Sequence, residues 1–251
     1  MTPSPYDHFK QECAAEIESQ GRDPVLHRRT REWMDHANAA KYSYHFEWLG
    51  RPIIQYPQDM VAMQQIIWTV QPDLIIETGI AHGGSLIFSA SMLELNAACG
   101  GPANAHVLGI DIDIRAHNRA AIEAHPMARR ITMFQGSSIA PDIVAQVRAR
   151  ATGQQRVLVF LDSNHTHAHV QAELEAYAPL VTLGSYCVVF DTVIEDMPAA
   201  MFPDRPWGPG DNPKTAVQQW LPAHPEFRVD HALEASLLVT VAPGGYLQRI
   251  A

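Results

Sequence analysis

The sequence predicts an α/β fold: a doubly wound, mainly parallel sheet of seven strands, with an antiparallel pair of strands at one edge and a small helical extension at the N-terminus. Two observations carry this prediction. From Leu74 onward, short apolar runs of strand length alternate with segments of helix length, which is typical of parallel strands connected by helices. Near the C-terminus two strand-like runs follow each other with a short link, which favours antiparallel pairing.

The N-terminal part of the chain differs from the rest. Its first fifty or so residues carry mixed charge and several aromatic side chains, without a strand-like apolar run. This composition favours helices that cover one side of a larger domain. We therefore predict a helical extension or lid over residues 1–58 and a main domain over residues 59–251.

Five apolar runs mark the parallel strands of the main domain: "LIIETG", "HVLGIDID", "RITMFQG", "RVLVFLD" and "YCVVFDT". Helices are predicted between them over 85–98, 141–150 and 167–178, because Gly100 follows the first, Pro141 opens the second and the third has helical apolar spacing. The predicted antiparallel pair is formed by "FRVDHALE" and "SLLVTVAPGGYLQRI". A loop rich in proline and glycine precedes them, and Asn212 and Pro213 are typical of a helix start.

Composition excludes several classes of protein. The formal net charge of −9 and the absence of a long Lys/Arg run argue against a nucleic-acid partner, since such partners require neutralisation of phosphates. The three cysteines are scattered without CxxC spacing, and the first residues resemble no secretory signal. A reduced, cytoplasmic protein is expected. No apolar run approaches the length of about eighteen residues that a membrane span needs.

The residues that end the first two strands indicate a nucleoside cofactor. Ligands of open parallel sheets bind beyond the carboxyl ends of the strands. The first strand ends "IIETGIAHGGS", with Glu77 at its tip and glycines that permit a tight turn, and the second ends "GIDID", where Asp111 is placed to accept ribose hydroxyls. A plain strand-to-helix turn is the alternative. The glycine loop lacks the G-x-G-x-x-G spacing, which disfavours a dinucleotide.

Two later strands end in aspartate. Asp162 follows "VFL" and Asp191 follows "VVF", so the two carboxylates would meet if the strands are neighbours. Their mutual repulsion is relieved by a divalent cation with oxygen ligands, and Mg²⁺ suits such a site. Thr192 is a weak additional ligand. The alternative is structural: Asp162 caps the next helix and Asp191 starts a turn.

Several stretches in the same order resemble the cephalosporin hydroxylase family, over about residues 40–245: "YSYHFEWLGRPIIQYPQDM", "IIETGIAHGGS", "GIDIDIRAHNR", "FLDSNHTHAHV", "VVFDT" and "WGPGDNPKTAV". The resemblance implies a branch of the S-adenosylmethionine- and Mg²⁺-dependent O-methyltransferases with a Rossmann-like domain, related to enzymes that methylate sugar hydroxyls of natural products and glycolipids.

By position, the resemblance implies roles for individual residues. The cofactor would be bound by Glu77, Gly79, Ser85, Asp111, Ser137, Ser138 and Asp162. The metal would be bound by Asp162 and Asp191 with Thr192 as a weak third ligand. Related enzymes often show two consecutive acidic or amide ligands here, whereas this chain has Phe190, Asp191 and Thr192. The third metal ligand is therefore open.

Three histidines crowd the end of the fourth strand. His165 follows Asp162 by three residues, the spacing at which similar sugar O-methyltransferases place a catalytic histidine. The expected mechanism uses His165 as the base that deprotonates an acceptor hydroxyl, with Asp162 beside it. For His167 and His169, solvated or helix-packing roles are favoured over catalysis.

Residues just ahead of the main domain are candidates for acceptor binding. The stretch "HFEWLGRPIIQYPQDM" contains Trp48, Gln55, Tyr56 and Asp59, and aromatic rings with an amide suit a sugar. Core packing explains them nearly as well, and the resemblance favours the substrate role. The loop "RPWGPGDNPKTAV" is expected to form a flap over the acceptor.

The function predicted from these features is methyl transfer from S-adenosylmethionine to a hydroxyl of a sugar or glycosylated natural product, with Mg²⁺, by an enzyme that forms a homo-oligomer. Two alternatives stay open at this point. One is an NAD(P)-dependent oxidoreductase on a similar sheet, against which the paired aspartates count. The other is a non-catalytic, cofactor-binding subunit of a biosynthetic complex.

Overall fold

The computed structural model describes residues 4–251. Its helices and strands, in chain order, are α1 (Pro5–Gly21), α2 (Pro24–Ala39), β1 (Phe46–Trp48), β2 (Arg51–Ile53), α3 (Pro57–Val70), β3 (Leu74–Thr78), α4 (Gly84–Ala98), β4 (His106–Asp111), α5 (Ala116–Glu123), β5 (Ile131–Gln135), α6 (Pro141–Ala151), β6 (Val157–Leu161), α7 (His167–Tyr177), β7 (Tyr186–Val189), α8 (Pro213–Trp220), β8 (Phe227–Val229), α9 (His231–Leu237) and β9 (Tyr246–Arg249).

The main sheet has seven strands in the order β5-β4-β3-β6-β7-β9-β8. Strands β3 to β7 are parallel, and β9 runs antiparallel to both of its neighbours. The predicted helices over 85–98, 141–150 and 167–178 are confirmed as α4, α6 and α7, within one residue at each end. The predicted α/β fold with a mainly parallel sheet of seven strands is therefore confirmed.

The edge of the sheet differs from the sequence prediction in one respect. The antiparallel pairing of β8 with β9 is confirmed, with Phe227 opposite Arg249. The stretch "SLLVTV" is not a strand, however: it begins in α9 and continues as a loop. Its apolar residues are used differently, because Asp230 caps α9 through the Leu233 N–H and Val241 is buried in the core. The link between the two strands is therefore a helix and a loop, not a tight turn.

The core occupies both faces of the sheet, because side chains alternate along each strand. In β3, Ile75 packs with residues of α3 and α4 on one face. Its neighbours Leu74 and Ile76 pack on the other face with residues of α6, α7 and α8. All five residues of β3 and all five of β6 are buried, as expected for central strands covered on both sides. This rigid centre fixes where the strand tips lie.

The predicted N-terminal helices are present as α1 and α2, which begin at proline after the capping residues Ser4 and Asp23. The short β1–β2 hairpin was not predicted, since three-residue strands leave little apolar pattern. Ile53 and Tyr56, which lie before the predicted boundary at residue 58, are buried in the same core as the sheet. Within residues 4–251, no helix has both the length and the apolar character to cross a membrane.

Candidate active site

The tips of the central strands meet at one edge of the sheet. In the register, Thr78 pairs with Leu161 and Leu161 with Val189, so the residues that follow these strands lie side by side. Gly79 adopts a left-handed φ of +90°, and a Cβ atom there would lie 2.0 Å from the Asp162 carbonyl oxygen. A side chain at this position would therefore separate β3 from the tip of β6, which explains the glycine.

Asp162, His165 and Asp191 form a cluster at this edge. Each offers one ligand atom, and these atoms lie within 4.8 Å of one another. His165 Nε2 is 3.2 Å from Asp191 Oδ2. Burial of the Asp162 carboxyl group, together with the charge of Asp191, raises the pKa of Asp162 well above its usual value. Within residues 4–251, no Lys or Arg forms a salt bridge with either carboxylate. Two carboxylates and an imidazole that converge in this way are a donor set that fits a divalent cation.

The hydroxyl of Thr192, the predicted weak metal ligand, is hydrogen-bonded within the chain. It donates to the Pro243 carbonyl at 2.9 Å, and the residue is fully buried. The structure thus brings His165 to the aspartate pair and engages the Thr192 hydroxyl elsewhere. Asp191 has a left-handed φ of 56°, which turns the chain sharply after β7 and points the two neighbouring side chains in different directions. His165 also offers a nitrogen atom to the same cluster.

The glycine loop after β3 is braced by Asp111. One carboxylate oxygen accepts from the N–H groups of Ile80 and Ala81, at 2.8 and 3.3 Å. The other oxygen accepts from the Asp113 N–H at 3.0 Å. An ionised carboxylate has about four acceptor positions, so Asp111 keeps capacity for a ribose hydroxyl. The predicted cofactor residue therefore lies next to the loop and also shapes it.

Glu77 is almost completely buried, at 3% exposure. Burial raises its pKa to about 7, and hydrogen bonds from Ser85 and Ser89 act in the opposite direction. Ser85 also lines the cavity described below. The two predicted cofactor residues are thus in contact, with the serine between the carboxyl group and the cavity.

Ser138 is buried and hydrogen-bonded to His169, with 3.0 Å between Ser138 Oγ and His169 Nε2. The same nitrogen lies 3.2 Å from Ser163 Oγ, and Ser163 donates to Glu173 at 2.6 Å. This network links the ends of β5 and β6 through α7 and engages the His169 ring in contacts within the chain. Ser137 precedes it and is partly exposed.

His167 fastens the proline- and glycine-rich loop. Its backbone N–H donates to Asp211 at 2.6 Å and its Nδ1 lies 2.8 Å from Thr215 Oγ1. The predicted helix start at Asn212 is confirmed by a capping box at the start of α8. Within the loop, the Trp207 ring meets His165 edge-on, with 4.8 Å between ring centroids. The loop therefore touches the candidate base directly.

A cavity of about 270 Å³ opens between these elements. It is lined by the glycine loop, by the carboxylate and histidine cluster and by residues of the N-terminal part, among them Ser43, Tyr44 and Gln55. Of the residues predicted for acceptor binding, Gln55 lies at the cavity. Tyr56 and Asp59 are fully buried in the core, and Trp48 donates to Ser91 and packs on Phe88. For these three, core packing is the correct interpretation, because their neighbours in space come from distant parts of the chain.

The order of the seven strands, with one reversed strand next to the edge, and the glycine turn at a strand-tip cavity define a Rossmann-like methyltransferase fold. Within that class, the chain belongs to the rhamnosyl O-methyltransferase/CmcI family, whose model matches residues 40–250. The predicted family resemblance is confirmed.

Similar proteins of known name agree with this. The chain is 32% identical over 196 residues to the rhamnosyl O-methyltransferase of Mycobacterium tuberculosis strain H37Rv, covering 76% of this chain and 73% of the relative. It is 30% identical over 206 residues to that of Mycobacterium leprae, covering 80% and 82%. Among solved structures, the Mg-SAM form of CmcI aligns with a TM-score of 0.56 and 18% identity, over 83% of this chain and 78% of CmcI.

Proposed function

We propose that this protein is an S-adenosylmethionine- and Mg²⁺-dependent O-methyltransferase whose acceptor is a hydroxyl of a sugar or glycosylated natural product. The observation that carries the proposal is the cluster of Asp162, His165 and Asp191 in the same cavity as the glycine loop. The names of the mycobacterial relatives support a rhamnosyl acceptor. The Mg-SAM form of CmcI has the same fold.

The chain offers distinct groups to the cofactor and to the metal. Gly79 and Ser85 line the cavity on the cofactor side, with Glu77 and Asp111 behind the loop and Ser137 and Ser138 at the end of β5. Asp162 and Asp191 would hold the cation, with Thr192 next in the chain and His165 beside the aspartate pair. When bound, S-adenosylmethionine supplies the methyl group and Mg²⁺ supplies the positive charge that makes an acceptor hydroxyl more acidic.

His165 is the proposed base. Its Nε2 faces the Asp191 carboxylate at 3.2 Å, which favours the tautomer that carries hydrogen on Nε2. Nδ1 then has a lone pair and accepts the proton of the acceptor hydroxyl. The Trp207 ring against His165 restricts the imidazole from the other side. Asp191 and Trp207 therefore orient the base before the acceptor arrives.

The methyl transfer itself needs little further chemistry from the protein. S-adenosylmethionine would supply the methyl group to the acceptor oxygen deprotonated by His165, and sulfur would keep the electron pair of the broken carbon–sulfur bond. The protein contributes by holding the oxygen and the methyl carbon in line at contact distance, an effect of position and orientation. Asp162 lies between the cofactor loop and His165 and is placed to align both.

The experiment that tests the proposal is an incubation of the purified protein with methyl-labelled S-adenosylmethionine, Mg²⁺ and a panel of rhamnosides and other glycosides. Mass spectrometry should find one added labelled methyl on a glycoside oxygen, and EDTA should abolish it. A parallel thermal-shift series compares S-adenosylhomocysteine with NAD⁺ and NADP⁺. Stabilisation by a dinucleotide alone would favour the oxidoreductase alternative. Cofactor binding without any transfer would favour a non-catalytic subunit.

Three further statements belong to the proposal. We propose that the protein is cytoplasmic and forms homo-oligomers, and that its product belongs to natural-product biosynthesis. We also propose the division into an extension over residues 1–58 and a methyltransferase domain over 59–251. The position of Ser43, Tyr44 and Gln55 at the cavity supports a role of the extension in acceptor binding.

A further inference from the structure

Gln55 is a polar side chain in a closely packed place. It lies in the connection between β2 and α3, next to the fully buried Tyr56, and is itself only 4% exposed. Ile53, two residues earlier, is 1% exposed. The Tyr56 hydroxyl donates to Asn38 at 2.6 Å, which ties the connection between β2 and α3 to α2. The backbone at Gln55 is therefore held on both sides, and the amide has a defined position.

The orientation of the Gln55 amide follows from its neighbour. Nε2 donates to Asp162 Oδ2 at 3.2 Å, and a carboxylate can accept but not donate. The carbonyl oxygen is thereby turned to the other side. Oε1 is buried and has no hydrogen-bond partner among residues 4–251. Buried acceptors are normally paired, and Gln55 lines the same cavity as Asp162, His165 and Asp191. This oxygen is thus positioned for a group of a bound ligand.

The chemistry of a carbonyl oxygen restricts which group that is. It accepts hydrogen bonds and cannot donate, so a phosphate or carboxylate is excluded as its partner and a hydroxyl fits. The acceptor hydroxyl that reacts must present its proton to His165. Gln55 and His165 line the same cavity beside Asp162, so the hydroxyl that meets the Gln55 carbonyl is a different one from the hydroxyl that meets His165. A second hydroxyl, on the carbon next to the reacting one, meets this geometry.

We propose that Gln55 binds the acceptor by accepting a hydrogen bond from a hydroxyl adjacent to the methylated one, so that the enzyme selects acceptors with a vicinal diol. This inference rests on the proposed function. The NH₂ group of the same amide donates to Asp162. One side chain therefore positions both the acceptor and the metal-binding carboxylate. Ser43 and Tyr44 on the same N-terminal part of the cavity wall add hydroxyl groups suited to a polyhydroxyl ligand.

The test combines a substitution of Gln55 with the removal of one hydroxyl from the acceptor, and compares the separate and combined effects on kcat/KM. Gln55→Met keeps the length of the side chain and removes both polar atoms. The acceptors are methyl α-L-rhamnopyranoside and its analogues that each lack one ring hydroxyl. The wild-type enzyme should lose about five- to thirtyfold in kcat/KM on the analogue that lacks the adjacent hydroxyl. Gln55→Met should show a similar loss on the parent glycoside and no further loss on that analogue.

Gln58→Met is the matched control. Gln58 lies three residues along the chain and its Oε1 likewise lacks a partner within residues 4–251, but it is not among the residues that line the cavity. This variant should have wild-type kinetics. For both variants, the melting temperature and the calorimetric affinity for S-adenosylhomocysteine establish that the protein is folded and binds the cofactor.

The outcomes separate clearly. Wild-type kcat/KM in a folded Gln55→Met variant overturns the inference. So does a loss confined to S-adenosylhomocysteine affinity, which would assign the carbonyl to the cofactor ammonium. A wild-type enzyme that methylates no glycoside overturns the proposed function itself, before any variant is compared.

Discussion

Asp59 and Asp162 are two acidic side chains in the interior, and their surroundings differ. The Asp59 carboxylate accepts hydrogen bonds from the Thr240 hydroxyl at 2.5 Å, the Tyr246 hydroxyl at 2.6 Å and the Val241 N–H at 3.0 Å. Among residues 4–251, the Asp162 carboxylate accepts one bond, from Gln55 at 3.2 Å, and lies beside Asp191. Protein donors satisfy Asp59, whereas Asp162 has too few donors and a negative neighbour.

The contrast teaches how to tell a structural carboxylate from a functional one. Asp59 ties the start of α3 to the loop that precedes β9, and its charge is stabilised by groups of the chain itself. Asp162 would be stabilised by something that the chain does not supply, and a divalent cation meets that need. The predictions below change Asp162, the histidines that follow it in the chain, and then Asp59.

The largest effect is expected for Asp162→Asn. With Mg²⁺ and S-adenosylmethionine present, kcat should fall about ten-thousandfold, because the positive charge at the acceptor hydroxyl is worth several kcal/mol. In metal-free protein the same substitution should leave the free energy of unfolding in urea unchanged or raise it, since a charge that is repelled by Asp191 is removed. A variant with full turnover, or wild-type turnover in EDTA, would make Asp162 structural like Asp59.

His165→Ala should lower kcat about a thousandfold, within the usual range for loss of a general base. S-adenosylhomocysteine affinity should stay as in the wild type. The Mg²⁺ concentration for half-maximal rate separates two roles: it stays constant if His165 is purely a base and rises if it is also a ligand.

His167→Ala and His169→Ala are the controls for this histidine. Their rings are engaged by Thr215 and by Ser138 and Ser163, so their effects on kcat should be far smaller. An active His165 variant together with an inactive variant of either control would show that spacing had selected the wrong histidine.

Asp59→Ala should act on stability. The substitution leaves the Thr240 and Tyr246 hydroxyls and the Val241 N–H without their acceptor, so the free energy of unfolding in urea at pH 8 should fall by about 4 kcal/mol. The folded fraction should keep its kcat. Equal stability of wild type and variant would mean that these donors find other acceptors and that Asp59 is not the tie between α3 and the C-terminal loop.

The smallest expected effect is the contribution of Asp59 to the pH dependence of the free energy of unfolding. Burial raises its pKa to about 6, although hydrogen bonds from Thr240, Tyr246 and Val241 act against this. An acid whose pKa is higher in the folded than in the unfolded state binds more protons when folded. Its contribution to stability is therefore present at low pH and lost as pH rises from about 4 to about 6.

This loss amounts to about 3 kcal/mol. It is measured as the difference between wild type and Asp59→Asn in urea unfolding at several pH values, because other acidic groups titrate equally in both proteins. The difference should change between pH 4 and 6 and be constant above. A constant difference over the whole range would show that the pKa of Asp59 is the same in the folded and unfolded states, and that burial does not raise it.

Local signals in the sequence predicted much of the fold. Continuous apolar runs such as Val157–Leu161 are typical of strands buried on both faces, and Pro141 and Asn212 mark helix starts through local backbone chemistry. The "SLLVTV" stretch shows the limit of this reasoning. An apolar run is compatible with a strand, a buried helix or a buried loop. The choice here depended on Asp230, which lies just before α9, and on Asp59, which lies far away in the sequence.

What the sequence by itself determined is the set of groups at the strand tips: an acid after β6, an acid after β7, a glycine turn after β3 and a histidine close to Asp162. Strand ends can be located from local pattern, and parallel strands place their ends at one edge. The tertiary structure alone decided which groups converge. It placed His165 beside Asp162 and Asp191 and bonded the Thr192 hydroxyl to Pro243, because the left-handed turn at Asp191 and the loop contacts are set by packing. It also brought Gln55 to Asp162 across 107 residues of chain, a contact that no local pattern encodes, because it depends on how the N-terminal part packs against the sheet.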